Sequence, residues 1–264
     1  MAESNVIEVE MSQNKVKFSI ITAVLNREAT LAEALESLAE QRYDDYEHIV
    51  QDGGSTDGTL RILNNYAGPK QHLVSESDHG IYDALNRALA RSTGDFIGLL
   101  HSDDRLAHPD VLLRVAQCFE SSGADAVYGD LDYVSAMDTS RVIRRWRSGE
   151  YHPSRLRRGW MPPHPALFLK RHVIEKWGGY DTTYRIAADY DSILRYFGKG
   201  NISAVWIPEV LVKMRVGGES NRSLERILRK SYEDYRALRL NGIGGIRTLV
   251  SKNIGKLGQF FSKG

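Results

Sequence analysis

The segment Phe96-Ile97-Gly98-Leu99-Leu100-His101-Ser102-Asp103-Asp104 ends an apolar run in two adjacent carboxylates. A buried strand written this way delivers paired negative charge to its carboxyl end, the end where open α/β sheets bind ligands. Carboxylates beside a phosphorylated ligand call for a divalent cation, and Mg²⁺ takes one or two of them together with phosphate oxygens. The competing account is a helix cap, with Asp103 or Asp104 capping a segment that begins near His108-Pro109. Three other segments favour a site, because they point to the same end of the same sheet.

The second is Ile49-Val50-Gln51-Asp52-Gly53-Gly54-Ser55-Thr56-Asp57-Gly58-Thr59. A strand runs into Asp52, two glycines permit tight turning, and Ser55, Thr56 or Asp57 can cap the next helix. Backbone N–H groups and a helix N-terminus at such a turn receive phosphorylated ligands. A calcium loop is excluded, since Gly54 and Thr56 stand where Asp or Asn is needed. A capped βα turn explains the serine, threonine and glycines but leaves Asp52 unaccounted for.

The first strand ends Thr22-Ala23-Val24-Leu25-Asn26-Arg27. Asn26 and Arg27 can hydrogen-bond a base, ribose or phosphate there, or serve as a turn residue and a solvated arginine. Far downstream lies Arg185-Ile186-Ala187-Ala188-Asp189-Tyr190-Asp191. At a spacing of two, Asp189 and Asp191 cannot share a helix face, so one faces any site and the other points outward or into a cap.

The elements that must position these residues alternate. Strand-like runs Phe18–Val24, His48–Gln51, His72–Ser75 and Phe96–Leu100 are separated by helical patterns over Leu31–Glu40, Gly58–Tyr66 and Ile81–Ala90. Such alternation predicts an α/β fold with a mostly parallel sheet and helices on both faces. Beyond Asp104 the texture changes. Ala126–Tyr128 and Leu131–Val134 stand too close for a crossover helix and predict an antiparallel addition. Helical patterns follow at Arg171–Trp177 and Ala188–Phe197, strands near Ala204–Ile207 and Leu211–Met214, and helix from Ser220 onward. The expected organisation is a polar leader (1–16), one domain (17–218) made of halves 17–104 and 105–218, and a C-terminal helical segment (219–264).

Composition narrows the class. The 35 basic and 34 acidic residues nearly cancel, which argues against nucleic acid as a partner. Cys118 is the only cysteine, which excludes an internal disulfide and a cysteine-rich zinc site, and its amphipathic setting gives it a packing role. No signal pattern and no bilayer-length apolar run is present, so the reading is cytoplasmic.

Together the four segments resemble glycosyltransferase family 2, the inverting nucleotide-sugar transferases of the GT-A fold. The resemblance covers about residues 17–215 and rests on Asn26 after the first strand, Asp52-Gly53-Gly54-Ser55-Thr56-Asp57-Gly58, Gly94-Asp95-Phe96-Ile97 leading to Ser102-Asp103-Asp104, and Ala188-Asp189-Tyr190-Asp191. The phrase Asp78-His79-Gly80-Ile81-Tyr82-Asp83-Ala84-Leu85-Asn86 is similar to a subgroup of bacterial polysaccharide and glycolipid assembly clusters. The resemblance implies a UDP-, GDP- or dTDP-sugar donor held by Thr22, Asn26, Arg27, Asp52 and Gly54. It also implies that Asp103 contacts ribose or donor sugar, Asp104 ligates Mg²⁺ or Mn²⁺, and Asp189 is the catalytic base. Three departures stand out: Asp52-Gly53 replaces the usual acidic pair, Ala188 replaces the acid before the base, and Arg195 is followed by Tyr196. The last removes the Gln-x-x-Arg-Trp motif of processive synthases and implies transfer of single sugars.

Weaker signals remain. His164, between prolines, and Asp191 are candidates for contact with the acceptor or the leaving phosphate. Six arginines between Arg144 and Arg158 form either a solvated face or an anion-attracting one. Residues 244–261 carry Ile246, Leu249, Val250, Ile254, Leu257, Phe260 and Phe261 at helical spacing with Arg247, Lys252 and Lys256 interspersed. That pattern suits an interfacial helix on an anionic membrane serving a lipid-linked or saccharide acceptor, or a helix packed on the domain. A sugar-1-phosphate nucleotidyltransferase shares the early alternation, but Val24-Leu25-Asn26-Arg27-Glu28 is not its Gly-rich phosphate loop. A non-catalytic binding module has no need for Asp103, Asp104 and Asp189 together.

Overall fold

A computed structural model describes residues 16–217 and 224–258 of the chain. Its first half is built from β1 (Phe18–Val24), α1 (Leu31–Ala39), β2 (Tyr46–Asp52), α2 (Thr59–Asn65), β3 (Gln71–Ser75), α3 (Ile81–Arg91) and β4 (Phe96–Leu99). These strands lie parallel in the order β3-β2-β1-β4. All seven residues of β1 are buried, as expected of a central strand covered on both faces. The register aligns Val24 with Asp52 and Asp52 with Ser75. The carboxyl ends of β1, β2 and β3 are therefore level, and the loops that follow them open along one edge.

The second half continues through β5 (Arg105–Leu106), α4 (Val111–Ser122), β6 (Ala126–Val134), β7 (Val142–Trp146), α5 (Pro153–Leu156), a single 3₁₀ turn at His164–Ala166, β8 (Leu167–Lys170) and α6 (Arg171–Trp177). Then come α7 (Ala188–Ile193), running into a π-helical stretch at Leu194–Lys199, and β9 (Ala204–Arg215), α8 (Leu224–Leu240) and α9 (Ile246–Gly258). β8 is antiparallel to β4 and to β6, β6 is parallel to β9, and β5 and β7 add antiparallel to β9 and β6. The antiparallel addition is present, but Ala126–Tyr128 and Leu131–Val134 are not two strands. They are one strand with a register shift between Tyr128 and Leu131. At Gly129 a Cβ would lie 2.3 Å from Leu211 Cγ, so a glycine interrupts the apolar run where β9 closes in. Ala204–Ile207 and Leu211–Met214 likewise belong to the single strand β9.

Two large cores flank the sheet. Phe18 packs edge-on against Phe168 and Tyr43 in one. In the other, Tyr128, Tyr184, Tyr190 and Phe197 meet Ala237 and Leu238 of α8 and Leu249 of α9. The C-terminal helices thus share the core of the domain, as the packed-helix reading of 244–261 expects for Leu249. Leu249 is 7% exposed, whereas Ile246, Val250 and Ile254 are 62%, 49% and 62% exposed. The helix is packed on one face and open on the other. Phe260 and Phe261 lie outside the described residues. Among the described residues, no helix is long and apolar enough to cross a membrane.

Candidate active site

The loops after β1 and β2 clasp each other. The Asn26 amide donates to Ser55 Oγ (2.9 Å), and its side-chain oxygen accepts from the Thr56 amide (2.8 Å). The Arg27 amide donates to Thr59 Oγ1, and Glu28 accepts from the Gly58 amide. Asn26 holds a left-handed backbone (φ 52°), tolerated by asparagine, and Gly54 (φ 87°) makes the turn that leaves it and Thr56 facing solvent.

Asp52 is 0% exposed. Its carboxylate accepts from the amides of Gly54 and Ser55 and from the hydroxyls of Ser55 (2.5 Å) and Ser75 (2.6 Å). Asp52 therefore shapes the loop and ties it to the end of β3, a correction to its expected contact with the donor. Thr22 is corrected on the same ground. It is buried within the sheet, donates to the Leu100 carbonyl (2.8 Å) and pairs with His48 Nε2 (2.9 Å), so it does not reach the cleft. Arg27 stays at the loop, its guanidinium donating to the Asn26 carbonyl.

The strand-end acids are not helix caps. Helix α4 begins at Val111, beyond β5, and Asp110 sits at its cap position. Asp104 is 4% exposed; its Oδ1 accepts from the Arg215 amide (3.3 Å), and its Oδ2 is buried without a hydrogen-bond partner. Burial, and then the charge of Asp103, raise the Asp104 carboxyl well above its ordinary range, against the pull of Arg215. A buried carboxylate oxygen with no donor, beside a second carboxylate, fits a divalent cation, which would satisfy the oxygen and offset both charges. Among the described residues no three ligating side chains cluster.

Asp189 occupies the first turn of α7, half-buried, while Asp191 is buried. Tyr82, from α3, donates to the Ile186 carbonyl (2.7 Å) and lies 3.4 Å from Asp189 Oδ1. Burial acts to raise the Asp189 carboxyl, but the charges of His164, Lys230 and Lys252 and the Tyr190 amide outweigh it and leave it below its ordinary range. His164 is itself pushed down to about 4 by burial, so at neutral pH the standing cations are the two lysines. Its Nε2 pairs with the Tyr180 hydroxyl (2.8 Å), and its ring lies 5.9 Å from that of His101. Burial also lowers the pKa of His101, which is acted on by the charges of both Asp103 and Asp189. The two acidic motifs therefore meet through His101 and His164.

Asp191 faces the other way. It accepts from Arg195 Nε (2.8 Å) and Asn241 Nδ2 (2.8 Å), which corrects its candidacy as an acceptor contact. Sequence reasoning assigned no role to His101, Tyr82 or Tyr180. Tyr82 and Asn86 do fall in the Asp78–Asn86 phrase, and Asn86 pairs its side-chain amide with both backbone groups of Tyr180. The arginine run is partly engaged: Arg147 pairs with Asp130 and Asp132, and Arg155 covers Trp160.

Comparison with known proteins bears on the family and the fold. Residues 19–176 match the model of glycosyl transferase family 2. A PGL/p-HBAD biosynthesis glycosyltransferase of Mycobacterium tuberculosis is 35% identical over 214 residues, 79% of this chain and 81% of the relative. Among solved structures, the mannosyltransferase PcManGT of Pyrobaculum calidifontis with GDP-Man and Mn²⁺ aligns at a TM-score of 0.65, with 20% identity, over 91% of this chain and 70% of its own. S. aureus TarS 1–349 in complex with UDP-GlcNAc aligns at 0.64 with 19% identity, over 86% of this chain and 66% of its own. The chain spans 39% of the longer TarS chain. These structural likenesses establish a GT-A α/β fold.

Proposed function

The chain belongs to glycosyltransferase family 2, and from that premise we propose that it moves one sugar from a nucleoside-diphosphate donor to an acceptor hydroxyl with inversion at the anomeric carbon. One observation carries the reading: Asp104 keeps a buried carboxylate oxygen without a partner, and the ring of His101, three positions before it, lies 5.9 Å from that of His164, the histidine whose charge acts on Asp189. Asp103 and the solvent-facing loop around Gly54 and Thr56 receive the nucleotide, with Asn26 bracing that loop and Arg27 beside it. Asp104 would hold Mg²⁺ or Mn²⁺, and such an ion neutralises charge on the leaving diphosphate.

Asp189 accepts the acceptor's proton as the hydroxyl attacks the anomeric carbon from the face opposite the leaving group. A positioned base contributes roughly 10²–10⁴-fold. The bond from acceptor oxygen to sugar forms as the bond to the diphosphate oxygen breaks, and no covalent enzyme intermediate is needed. The charges of Lys230 and Lys252 and the Tyr190 amide favour the ionised form of Asp189, and His164, neutral at neutral pH, can hydrogen-bond an acceptor hydroxyl without placing a fixed charge beside it.

The M. tuberculosis relative bears the name of a PGL/p-HBAD biosynthesis enzyme, and the acceptor class supported here is lipid-linked. The outer faces of α8 and α9 suit an anionic lipid surface. Leu228, Tyr232, Tyr235, Ile246, Val250 and Ile254 are exposed there among exposed Arg229, Arg239 and Arg247, an apolar-and-basic face of the kind that lies on membranes. The test is mass spectrometry of products from a panel of nucleotide sugars and lipid extracts, followed by the anomeric proton coupling of the product. A product that retains the donor's anomeric configuration would overturn the reading.

A further inference from the structure

We infer that Glu233, on the C-terminal helix α8, is a positioning residue for the base Asp189. This rests on the reading of Asp189 given above. The first N–H groups of a helix lack partners within the helix. Helix α7 begins after Ala187, which has no side chain able to cap it. The entry to the helix is instead held from elsewhere in the fold, through the amide at the cap position and the two before it. Glu233 is 6% exposed, and its carboxylate accepts from three consecutive amides: Arg185 (3.1 Å), Ile186 (2.8 Å) and Ala187 (3.0 Å). A carboxylate at a helix N-terminus also meets the favourable end of the helix dipole.

Other contacts point the same way. The Tyr82 hydroxyl donates to the Ile186 carbonyl, so residue 186 is held on its amide side by α8 and on its carbonyl side by α3. On the far side of Asp189, Lys252 of α9 lies over the Tyr190 ring at 3.0 Å and pairs with Asp234 of α8 at 2.9 Å. Asn241 holds Asp191. The residues on both sides of Asp189 are thus anchored to the C-terminal helices, while Asp189 itself is only half-buried. Helix α8 lies outside the stretch matched by the family model, yet it fixes the peptide from which the base projects.

The test is a double-mutant cycle of Glu233→Gln and Asp189→Asn, read by single-turnover transfer together with KM for the donor. Glutamine keeps the length of the side chain but loses its charge and one acceptor oxygen. The expected result is a loss in kcat of ~10²-fold, the scale of a small misplacement of a reacting group, with donor KM unchanged. On the Asp189→Asn background, Glu233→Gln should cost no more than about twofold, the ordinary error of additivity. A wild-type kcat for Glu233→Gln, or an equal loss on both backgrounds, would overturn the inference. If Asp189→Asn retains full turnover, the base assignment itself fails, which is a separate outcome. Should Glu233→Gln not fold, Glu233→Asp takes its place in the cycle, keeping the charge but withdrawing it by one methylene. It is judged by the same two criteria.

Discussion

Tyr82 and Asp189 lie 107 positions apart in the chain, and the hydroxyl of one stands 3.4 Å from the carboxylate of the other. The same hydroxyl donates at 2.7 Å to the Ile186 carbonyl, so α3 of the nucleotide-side half touches the helix that carries the base. Tyr82→Phe removes both contacts and leaves the ring stack with Tyr180 in place. The expected loss is roughly 2–10-fold in kcat, the equivalent of one hydrogen bond of about 0.5–1.5 kcal/mol. Steady-state kinetics at saturating donor checks it.

Asp189 and Asp191 should separate cleanly. Asp189→Asn should lose most of kcat while its melting temperature and nucleotide affinity hold. Asp191→Asn should keep far more activity but unfold earlier, because it discharges the buried partner of Arg195. Breaking a buried pair costs roughly 3–5 kcal/mol, and less where asparagine still accepts one hydrogen bond. Thermal melts and kcat on both variants decide the assignment.

Two buried histidines set an acid limit on stability. Burial pushes His48 and His164 each down to about 4 from the ordinary 6.5. Between those pH values the unfolded chain binds more protons than the folded one, so stability falls as pH drops from 6.5 toward 4. Urea unfolding at pH 7 and pH 4.5 should show the loss, and His48→Gln should flatten part of it. Glu47 acts lower: burial would raise its carboxyl, but donors from Ser19, Thr93 and Gly94 bring it to about 2. Its contribution is present above 4.5 and is lost as pH falls toward 2.

The first four strands and the three helices between them were legible because each is a sustained apolar period bounded by turn residues. The second half was less so. Gly129-Asp130 looked like a break between strands, yet it is a register shift made where Leu211 fills the space over a glycine. The arginine-rich β7 gave no strand pattern, because its Val142 and Ile143 face solvent. At the site, the opposed facing of Asp189 and Asp191 followed from a spacing of two. The burial of Asp52 did not, since one of its partners, Ser75, ends a different strand. Glu233 was out of reach of local reasoning altogether, because its three donors lie 46 to 48 positions away.

Asp104→Asn should trade stability against binding. Burial, and then Asp103, raise the Asp104 carboxyl in the native state, so at pH above its ordinary range this group opposes folding. Asparagine removes that charge, so the variant should melt higher than wild type in EDTA. It should also lose the melting-temperature rise that Mn²⁺ with a nucleoside diphosphate gives the wild type.

The most direct measurement is calorimetric titration of UDP, GDP and dTDP into the wild-type protein and Asp104→Asn, each with Mn²⁺ and with EDTA. At least one diphosphate should bind the wild type in Mn²⁺, EDTA should weaken this binding at least tenfold, about 1.4 kcal/mol, and Asp104→Asn should bind weakly in both conditions. Equal affinity with and without the metal, or an Asp104→Asn variant that keeps the metal-dependent gain, would contradict it.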